Sequence, residues 1–302
     1  MRKGHRITGA EYARALRLPF TGASILPFIA GSLFAGRLDI LNFFLGLCAA
    51  VSTHLAANLI NDYADSRSGA DWQDKRFYGF FGGSKLIQEG ALDEKFYLRH
   101  SLIYFSAGFL SVCFLALRLK SLLVIGCYLS VIFLAFSYSR KPLQLSYRRL
   151  GEAVIFILFG PVPVMGAYFI QTKSFPDPRS FLLSLPFGFF TAAILFANEV
   201  PDLTGDLKAG KKTLASLTGS DQAFLLYYLL GGMGFIAIIA NVISGHVGYI
   251  SLFSLLCVPL LIKAAGLLQR YPCDKDKLIE SSKLTITLQF LAGLSLIAGV
   301  LI

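Results

Sequence analysis

Charge is scarce in this sequence, and acid is scarcer than base. Asp, Glu, Lys and Arg together make up 15% of the 302 residues, whereas hydrophobic residues make up 55% and the mean hydropathy is +0.63. So little charge cannot cover a soluble globule of this size, which excludes a soluble enzyme and points to an integral membrane protein. The 18 acids and 28 Lys and Arg leave a net charge of +10. A nucleic-acid-binding face needs its basic residues on a polar module. Here they sit in short gaps between apolar runs, so no nucleic-acid partner is expected. Cysteine is sparse too: Cys48, Cys113, Cys127, Cys257 and Cys273 are scattered, odd in number and form no C-x-x-C pair. That excludes a disulfide framework or a zinc site and leaves packing as their role. No low-complexity linker or second domain appears, so residues 1-302 read as a single transmembrane domain. The basic stretch Met1 to Arg17 precedes an apolar run too long for a signal-peptide core, and is read as part of the mature protein.

What the chain does have is long apolar runs. Nine stretches, near 18-36, 41-61, 97-117, 121-138, 151-171, 181-200, 222-243, 247-268 and 284-302, are long enough to cross roughly 30 Å of hydrocarbon. The expected fold is therefore an all-α integral membrane protein with nine transmembrane helices. Threading the runs alternately puts 23 of the 28 basic residues on one side, Arg2, Lys3 and Arg6 among them. The positive-inside rule then makes the N-terminus cytoplasmic and the C-terminus outside, in a multi-pass protein of the cell (inner) membrane.

Two acidic stretches stand out against this background. Asn58 to Asp71 reads N-L-I-N-D-Y-A-D-S-R-S-G-A-D, and Asn198 to Lys212 reads N-E-V-P-D-L-T-G-D-L-K-A-G-K-K, each directly after an apolar run. Asn58, Asp62 and Asp65 share one face of a continuing helix, and Asn198, Asp202 and Asp206 repeat the pattern at spacing four. An intramembrane carboxylate costs about 2.5 to 3.5 kcal/mol on insertion scales, so two clusters at span ends read as a functional site. Both fall on the cytoplasmic side, four spans apart. That spacing suggests a parallel duplication of a four-helix unit with a ninth helix appended.

Paired carboxylates with amide oxygens are hard ligands that suit magnesium sharing phosphate oxygens. The metal-binding candidates are Asn58, Asp62, Asp65, Asp71, Asn198, Asp202 and Asp206, with Asp62, Asp65, Asp202 and Asp206 catalytic. The bland reading makes them helix caps and solvated loop acids; two sets at matched positions weigh against it. Five carboxylates and a diphosphate of about three charges exceed what two magnesium ions neutralise, so further cations are needed. Arg76 and Lys85 follow the first cluster, Lys211 and Lys212 follow the second, and Arg140 and Lys141 close the fourth span. These are the candidates for a diphosphate clamp, with topology signals as the alternative role. The run Phe80 to Lys85, F-F-G-G-S-K, offers backbone N–H groups to phosphate, although glycine also serves plain turns. Tyr63, Tyr138 and Tyr168 are candidates to shelter a cation, against packing; His54, one turn before Asn58, is a candidate base, against a helix-helix hydrogen bond. Trp72 reads as an interface anchor. Glu199 falls off the Asn198 face, and neither it nor Asp74 is included.

The stretches N-D-Y-A-D-S-R-S-G-A-D and D-L-T-G-D-L-K-A-G-K-K-T-L resemble the two aspartate-rich signatures of the intramembrane, UbiA-type aromatic prenyltransferases. The family's first signature, N-D-x-x-D-x-x-x-D, would place an acid at position 69, where this chain has Gly69 and supplies Asp71 two residues later. That variant is similar to the branch that prenylates 1,4-dihydroxy-2-naphthoate in menaquinone synthesis, as are Tyr138 to Glu152, Y-S-R-K-P-L-Q-L-S-Y-R-R-L-G-E, and Phe159 to Thr172, F-G-P-V-P-V-M-G-A-Y-F-I-Q-T. Arg140 and Lys141 stand where small or less basic residues are common. The resemblance implies a bundle around a central cavity open sideways to lipid. It also implies Mg2+-dependent transfer of a polyprenyl group from polyprenyl diphosphate to an aromatic acid, with release of diphosphate. 4-Hydroxybenzoate, homogentisate and haem stay open as acceptors, and a cation transporter is the reading from a different class. No obligate protein partner is implied.

Overall fold

The computed structural model describes residues 7–302, so Arg2, Lys3 and Arg6 of the charge-asymmetry argument lie outside the described residues. The chain forms α1 (Gly9–Leu16), α2 (Gly22–Phe34), α3 (Ile40–Ser68), α4 (Glu94–Leu119), α5 (Leu123–Ser139), α6 (Gly151–Phe159), α7 (Pro161–Thr172), α8 (Pro178–Glu199), α9 (Leu203–Lys208), α10 (Ala215–Ile243), α11 (Val258–Arg270) and α12 (Lys275–Leu301). Among the described residues there is no strand, only one isolated bridge between Arg148 and Lys212.

Seven of these segments have the length and apolarity to cross a membrane. They are α3, α4, the α6–α7 pair, α8 continued into α9, α10, Tyr249–Arg270 and α12, and they coincide with seven of the nine expected runs. The other two differ for local reasons. The first, within Leu18–Phe34, qualifies only together with α1, from which it is bent by 44° at Arg17, a residue with φ of +52°. The fourth is α5, an apolar helix of 17 residues and about 26 Å. Leu110, Leu117, Phe133, Leu229 and Ile236 lie exposed on the spans, as surfaces solvated by lipid rather than water should.

Four acids are accounted for before any site is considered. Asp39, Asp93, Asp177 and Asp274 are the N-caps of α3, α4, α8 and α12, each accepting a hydrogen bond from a backbone N–H in the first turn. Interhelical packing relies on small residues where backbones meet. A side chain on Gly160, at the α6–α7 break, would lie 2.8 Å from Gly188 Cα on α8, and Gly31 of α2 abuts the Val164 backbone. These contacts hold α6–α7 against α8 and α2, which sets the walls of the cavity described next.

Candidate active site

Both acidic stretches come together at one end of the bundle, around a cavity of about 520 Å³. Its polar rim includes Asn58, Asp65, Asp71, Asn198, Asp202 and Asp206. Lys85, Tyr138 and Lys211 line it as well.

The first cluster is built on the last turns of α3. Asp62, 2% exposed, accepts hydrogen bonds from the Arg17 guanidinium and from the Ser84 backbone N–H at 3.1 Å. Asp65 accepts from the Tyr147 hydroxyl at 2.8 Å and from Asn61 Nδ2 at 3.2 Å. Asn58 Nδ2 donates to the Leu16 carbonyl at 3.1 Å, tying α3 to the end of α1. The helix stops at Gly69, whose φ of +88° forms the left-handed cap. This is the physical reason for glycine at that position: the chain turns under the helix, and Asp71 returns beside Asp62 and Asp65. Lys85 Nζ donates to Asp71 Oδ1 at 2.9 Å and to its backbone carbonyl at 3.0 Å.

The glycine-rich loop lies across these acids. A side chain on Gly83 would stand 3.0 and 3.1 Å from the two Asp71 oxygens and 3.3 Å from Asp62 Oδ1, and Gly83 has φ of +79°. A side chain on Gly82 would stand 3.6 Å from Asp202, so the loop bridges the two clusters. Gly83→Ala is expected to destabilise the protein by about 1 to 2 kcal/mol through the left-handed backbone and to displace the loop. Thermal unfolding in detergent checks the first effect and turnover the second.

The second cluster is less regular than its spacing predicts. Pro201 ends α8, and a 3-10 turn, Val200–Asp202, leads into α9. Asn198 Oδ1 accepts from Ser282 at 2.7 Å. Lys275 Nζ donates to Asp202 at 3.0 Å and to Asp74 at 2.9 Å. Asp206 Oδ2 lies 3.4 Å from Lys211 Nζ but makes no hydrogen bond among the described residues. The Arg148–Lys212 bridge joins the loops after α5 and α9 through Arg149 N–H to Lys212 O at 2.8 Å, and so seats Tyr147 between Asp65 and Lys211.

Two groups outside the spans show the field of the site. Burial, then Asp65 and Asp62, pushes the Asp71 carboxyl up to about 7, and Lys85 only partly opposes this. Burial disfavours the Lys211 ammonium, yet Asp206, Asp65 and Glu199 hold it protonated well above the ordinary lysine range. Between its ordinary 3.8 and about 7, folded Asp71 holds a proton that the unfolded chain has lost, so this group's contribution to stability declines as pH rises through that window. Any cation taken up here displaces that proton. The Mg2+ concentration needed for half-maximal binding is therefore expected to rise as pH falls below about 7, which calorimetry across pH would measure.

Four expected clamp residues lie outside the cavity. Arg76 pairs with Asp276 at the surface, Arg140 covers the Tyr63 and Phe136 rings at 5.6 and 5.9 Å, and Lys141 and Lys212 are exposed. Tyr63 is held under Arg67, while Tyr168 bonds Arg179 beside the α8 cap, away from the acids. Trp72 donates to the Ser66 carbonyl at 3.1 Å, closing the end of α3. The structure adds Arg17, Asn61, Tyr147, Lys275 and Glu199. Among these, only Asn61, four residues before Asp65, carried a local spacing signal.

An apolar pouch of about 170 Å³ continues from the polar cavity between the helices, sharing His54, Ala57, Ala135, Leu158 and Phe159 with it. Small residues line its far part, including Gly46, Ala49, Ala50 and Ala167. His54 stands at the neck, with Nδ1 2.6 Å from Ser24 Oγ and its ring edge-on to Phe159 at 4.9 Å.

The chain that builds this polar, cation-lined head and apolar pouch also matches a known family. The family model described as UbiA prenyltransferase family matches residues 24–290. The chain belongs to this family. This UbiA protein is therefore a prenyltransferase and a multi-pass membrane protein, which removes the ion-transporter alternative. It is 26% identical over 299 residues to the 1,4-dihydroxy-2-naphthoate octaprenyltransferase of Haemophilus influenzae, covering 96% of this chain and 95% of that one. It is 30% identical over 227 residues to the Bacillus subtilis protein of the same name, covering 74% and 70%. Its fold is similar to a UbiA homolog from Archaeoglobus fulgidus solved bound to GPP and Mg2+, with a TM-score of 0.60 at 14% identity over 95% of this chain and 99% of that one.

Proposed function

We propose that this prenyltransferase moves a polyprenyl group from polyprenyl diphosphate to 1,4-dihydroxy-2-naphthoate, in a Mg2+-dependent reaction at the cytoplasmic face of the cell membrane. The observation that carries this reading is the meeting of both carboxylate clusters and the glycine-rich loop over one cavity that opens into an apolar pouch. The diphosphate belongs in the polar head and the isoprenoid in the pouch. In this reading α2 and α5 cross as well as the seven longer segments, and both clusters then belong to the side that carries most of the Lys and Arg.

The residues present fit magnesium. The motif donors are all oxygen, and among the described residues no three carboxylate, His or Cys groups form a ready-made metal cage. A site of this kind suits an ion that keeps several waters and binds jointly with phosphate oxygens. Asp65, Asp71, Asp202 and Asp206, with Asn58 and Asn198, would hold it, and Asp62 would steady the loop through Ser84. Four cations pair with four of the five motif acids, leaving Asp65 without one among the described residues: Arg17 on Asp62, Lys85 on Asp71, Lys211 on Asp206 and Lys275 on Asp202. The surplus of one negative charge plus about three from a diphosphate calls for about two divalent ions. Bound there, magnesium supplies Lewis-acid neutralisation of the charge that grows on departing pyrophosphate.

The protein's own groups do the rest. Lys85 and Lys211 turn from carboxylate to phosphate oxygens and stabilise the leaving group. Gly82 and Gly83 let backbone approach the phosphates closely. Tyr138, with the Phe159 ring at the neck, faces the allylic carbon and shelters its positive charge. The acceptor ring attacks that carbon and rearomatises by losing the group at the attacked position: the ring proton for a simple phenolic ring, or, for attack at the carboxylate-bearing carbon of the naphthoate, carbon dioxide in its place.

The test is a competition. Purified protein with Mg2+ and polyprenyl diphosphate is offered equal amounts of 1,4-dihydroxy-2-naphthoate, 4-hydroxybenzoate and homogentisate, and the lipid products are weighed by mass spectrometry. A prenylated naphthoquinol lacking the carboxyl group is expected to dominate. A prenylated benzoate or homogentisate as the main product would refute the choice of acceptor.

A further inference from the structure

Lys275 stands where a helix least favours a cation. It is the first residue of α12, directly after the Asp274 cap, and the partial positive charge of a helix N-terminus opposes an ammonium there. Two carboxylates from elsewhere in the chain account for its place. Nζ donates to Asp202 Oδ1 at 3.0 Å and to Asp74 Oδ2 at 2.9 Å, and all three residues line the cavity.

Each carboxylate leads to a different part of the site. Asp202 sits on the 3-10 turn that contains Pro201, so no regular helix fixes its direction. With Oδ1 held by Lys275, its other oxygen, Oδ2, faces the glycine-rich loop, 3.6 Å from where a side chain on Gly82 would begin. Asp74 holds the segment that leads into that loop: Oδ1 accepts from the Arg76 backbone N–H at 2.9 Å and Oδ2 from the Tyr78 hydroxyl at 3.0 Å. The Tyr78 ring stacks on that of Phe81 at 4.9 Å, and Phe81 is buried and adjoins Gly82. The contacts close a circuit from Lys275 through Asp74, Tyr78, Phe81 and Gly82 back to Asp202. A second ion pair, Arg76 with Asp276, also ties this segment to α12, but its side chains are exposed and lie outside the circuit and the cavity.

We propose that Lys275 is a positioning residue for the prenyl diphosphate: it turns Asp202 toward the loop and, through Asp74, holds the loop over the carboxylates. The inference rests on the prenyl-transfer reading above and deepens it, because it assigns the join between second cluster and loop to a residue outside both aspartate-rich stretches. A role through charge alone predicts the opposite sign at Asp74. Removing that acid makes the rim less negative, so electrostatics alone would tighten the binding of a diphosphate. Loss of positioning weakens it.

The test is equilibrium binding of a non-reactive thiolodiphosphate analogue of the prenyl donor to full-length protein in saturating Mg2+. Lys275→Met and Asp74→Ala are each expected to weaken binding about tenfold, the scale of one hydrogen bond between charged groups. The double variant should be within about twofold of the weaker single one, as for residues acting through one network. Lys275→Arg, which keeps the charge and can donate to both acids, recovers most of the affinity. Asp276→Asn, which breaks only the exposed pair, stays within about twofold of wild type. Unchanged or tighter binding in Lys275→Met or Asp74→Ala, additive losses in the double variant, or an equal loss in Asp276→Asn overturns the proposal. Wild-type protein that fails to bind the analogue with Mg2+ refutes the diphosphate reading and this inference with it, whereas wild-type binding with unaltered variants refutes this inference alone.

Discussion

Alanine at Asp65 or Asp202 is expected to lower turnover by at least about 10³-fold while the protein still inserts and folds, because in the proposed reaction each change removes a carboxylate from the site where charge develops. Asp65 is the more informative of the two. Its oxygens are held by Tyr147 and Asn61, both neutral donors, so among the five motif acids it alone has no Lys or Arg in ion-pair contact among the described residues. It is the carboxylate freest to take a cation. Its loss also relieves repulsion within a cluster where Asp62 and Asp65 already raise Asp71, so no collapse of stability is expected. Single-turnover product formation checks the rate, and size-exclusion chromatography with thermal unfolding checks the fold. More than a tenth of wild-type turnover in either variant would remove these acids from the chemistry.

The second large effect belongs to Lys211. Its ammonium is 3.4 Å from Asp206 and 5.8 Å from the centre of the Tyr147 ring, and its side chain is 15% exposed. Asp65 and Glu199 also act on it. In Lys211→Met the cavity loses one of four cations that balance five acids, and an incoming diphosphate meets an uncompensated negative field. The affinity for polyprenyl diphosphate is expected to fall about 100-fold, as for loss of a buried charge-assisted contact. Lys212→Ala is the matched control. That side chain is exposed and only its backbone holds the bridge to Arg148, so its affinity should stay within about twofold. If the two substitutions weaken binding equally, the clamp is a diffuse basic surface and not Lys211.

The same neighbouring pair shows where the sequence was legible and where it was not. Helix positions follow from apolar runs, and the acids at the ends of α3 and α8 follow from the cost of placing carboxylates beside lipid, so both were readable from local pattern. Which of two adjacent lysines turns inward depends on the bridge between loops after α5 and α9, which no local spacing encodes. Arg76 was drawn to Asp276 on α12, and Arg140 to the Tyr63 and Phe136 rings, contacts set by packing. Arg17 reaches Asp62 from the 44° bend between α1 and the next segment, where it is a non-glycine left-handed residue that the sequence does not mark. A regular helix turns Glu199 from the Asn198 face, yet it lines the same cavity, with its carboxyl against that of Glu152. The glycine at position 69 was legible as a departure from a family pattern, but its reason, a helix cap that folds Asp71 under α3, needed the backbone.

The central claim is that two carboxylate clusters jointly hold a prenyl diphosphate through magnesium. Calorimetric titration of the thiolodiphosphate analogue into purified protein, with Mg2+ and then with excess EDTA, tests it most directly. Saturable binding that requires Mg2+ and is lost in both Asp65→Ala and Asp202→Ala is the predicted result. Binding that persists in EDTA, or that survives in either variant, would contradict it.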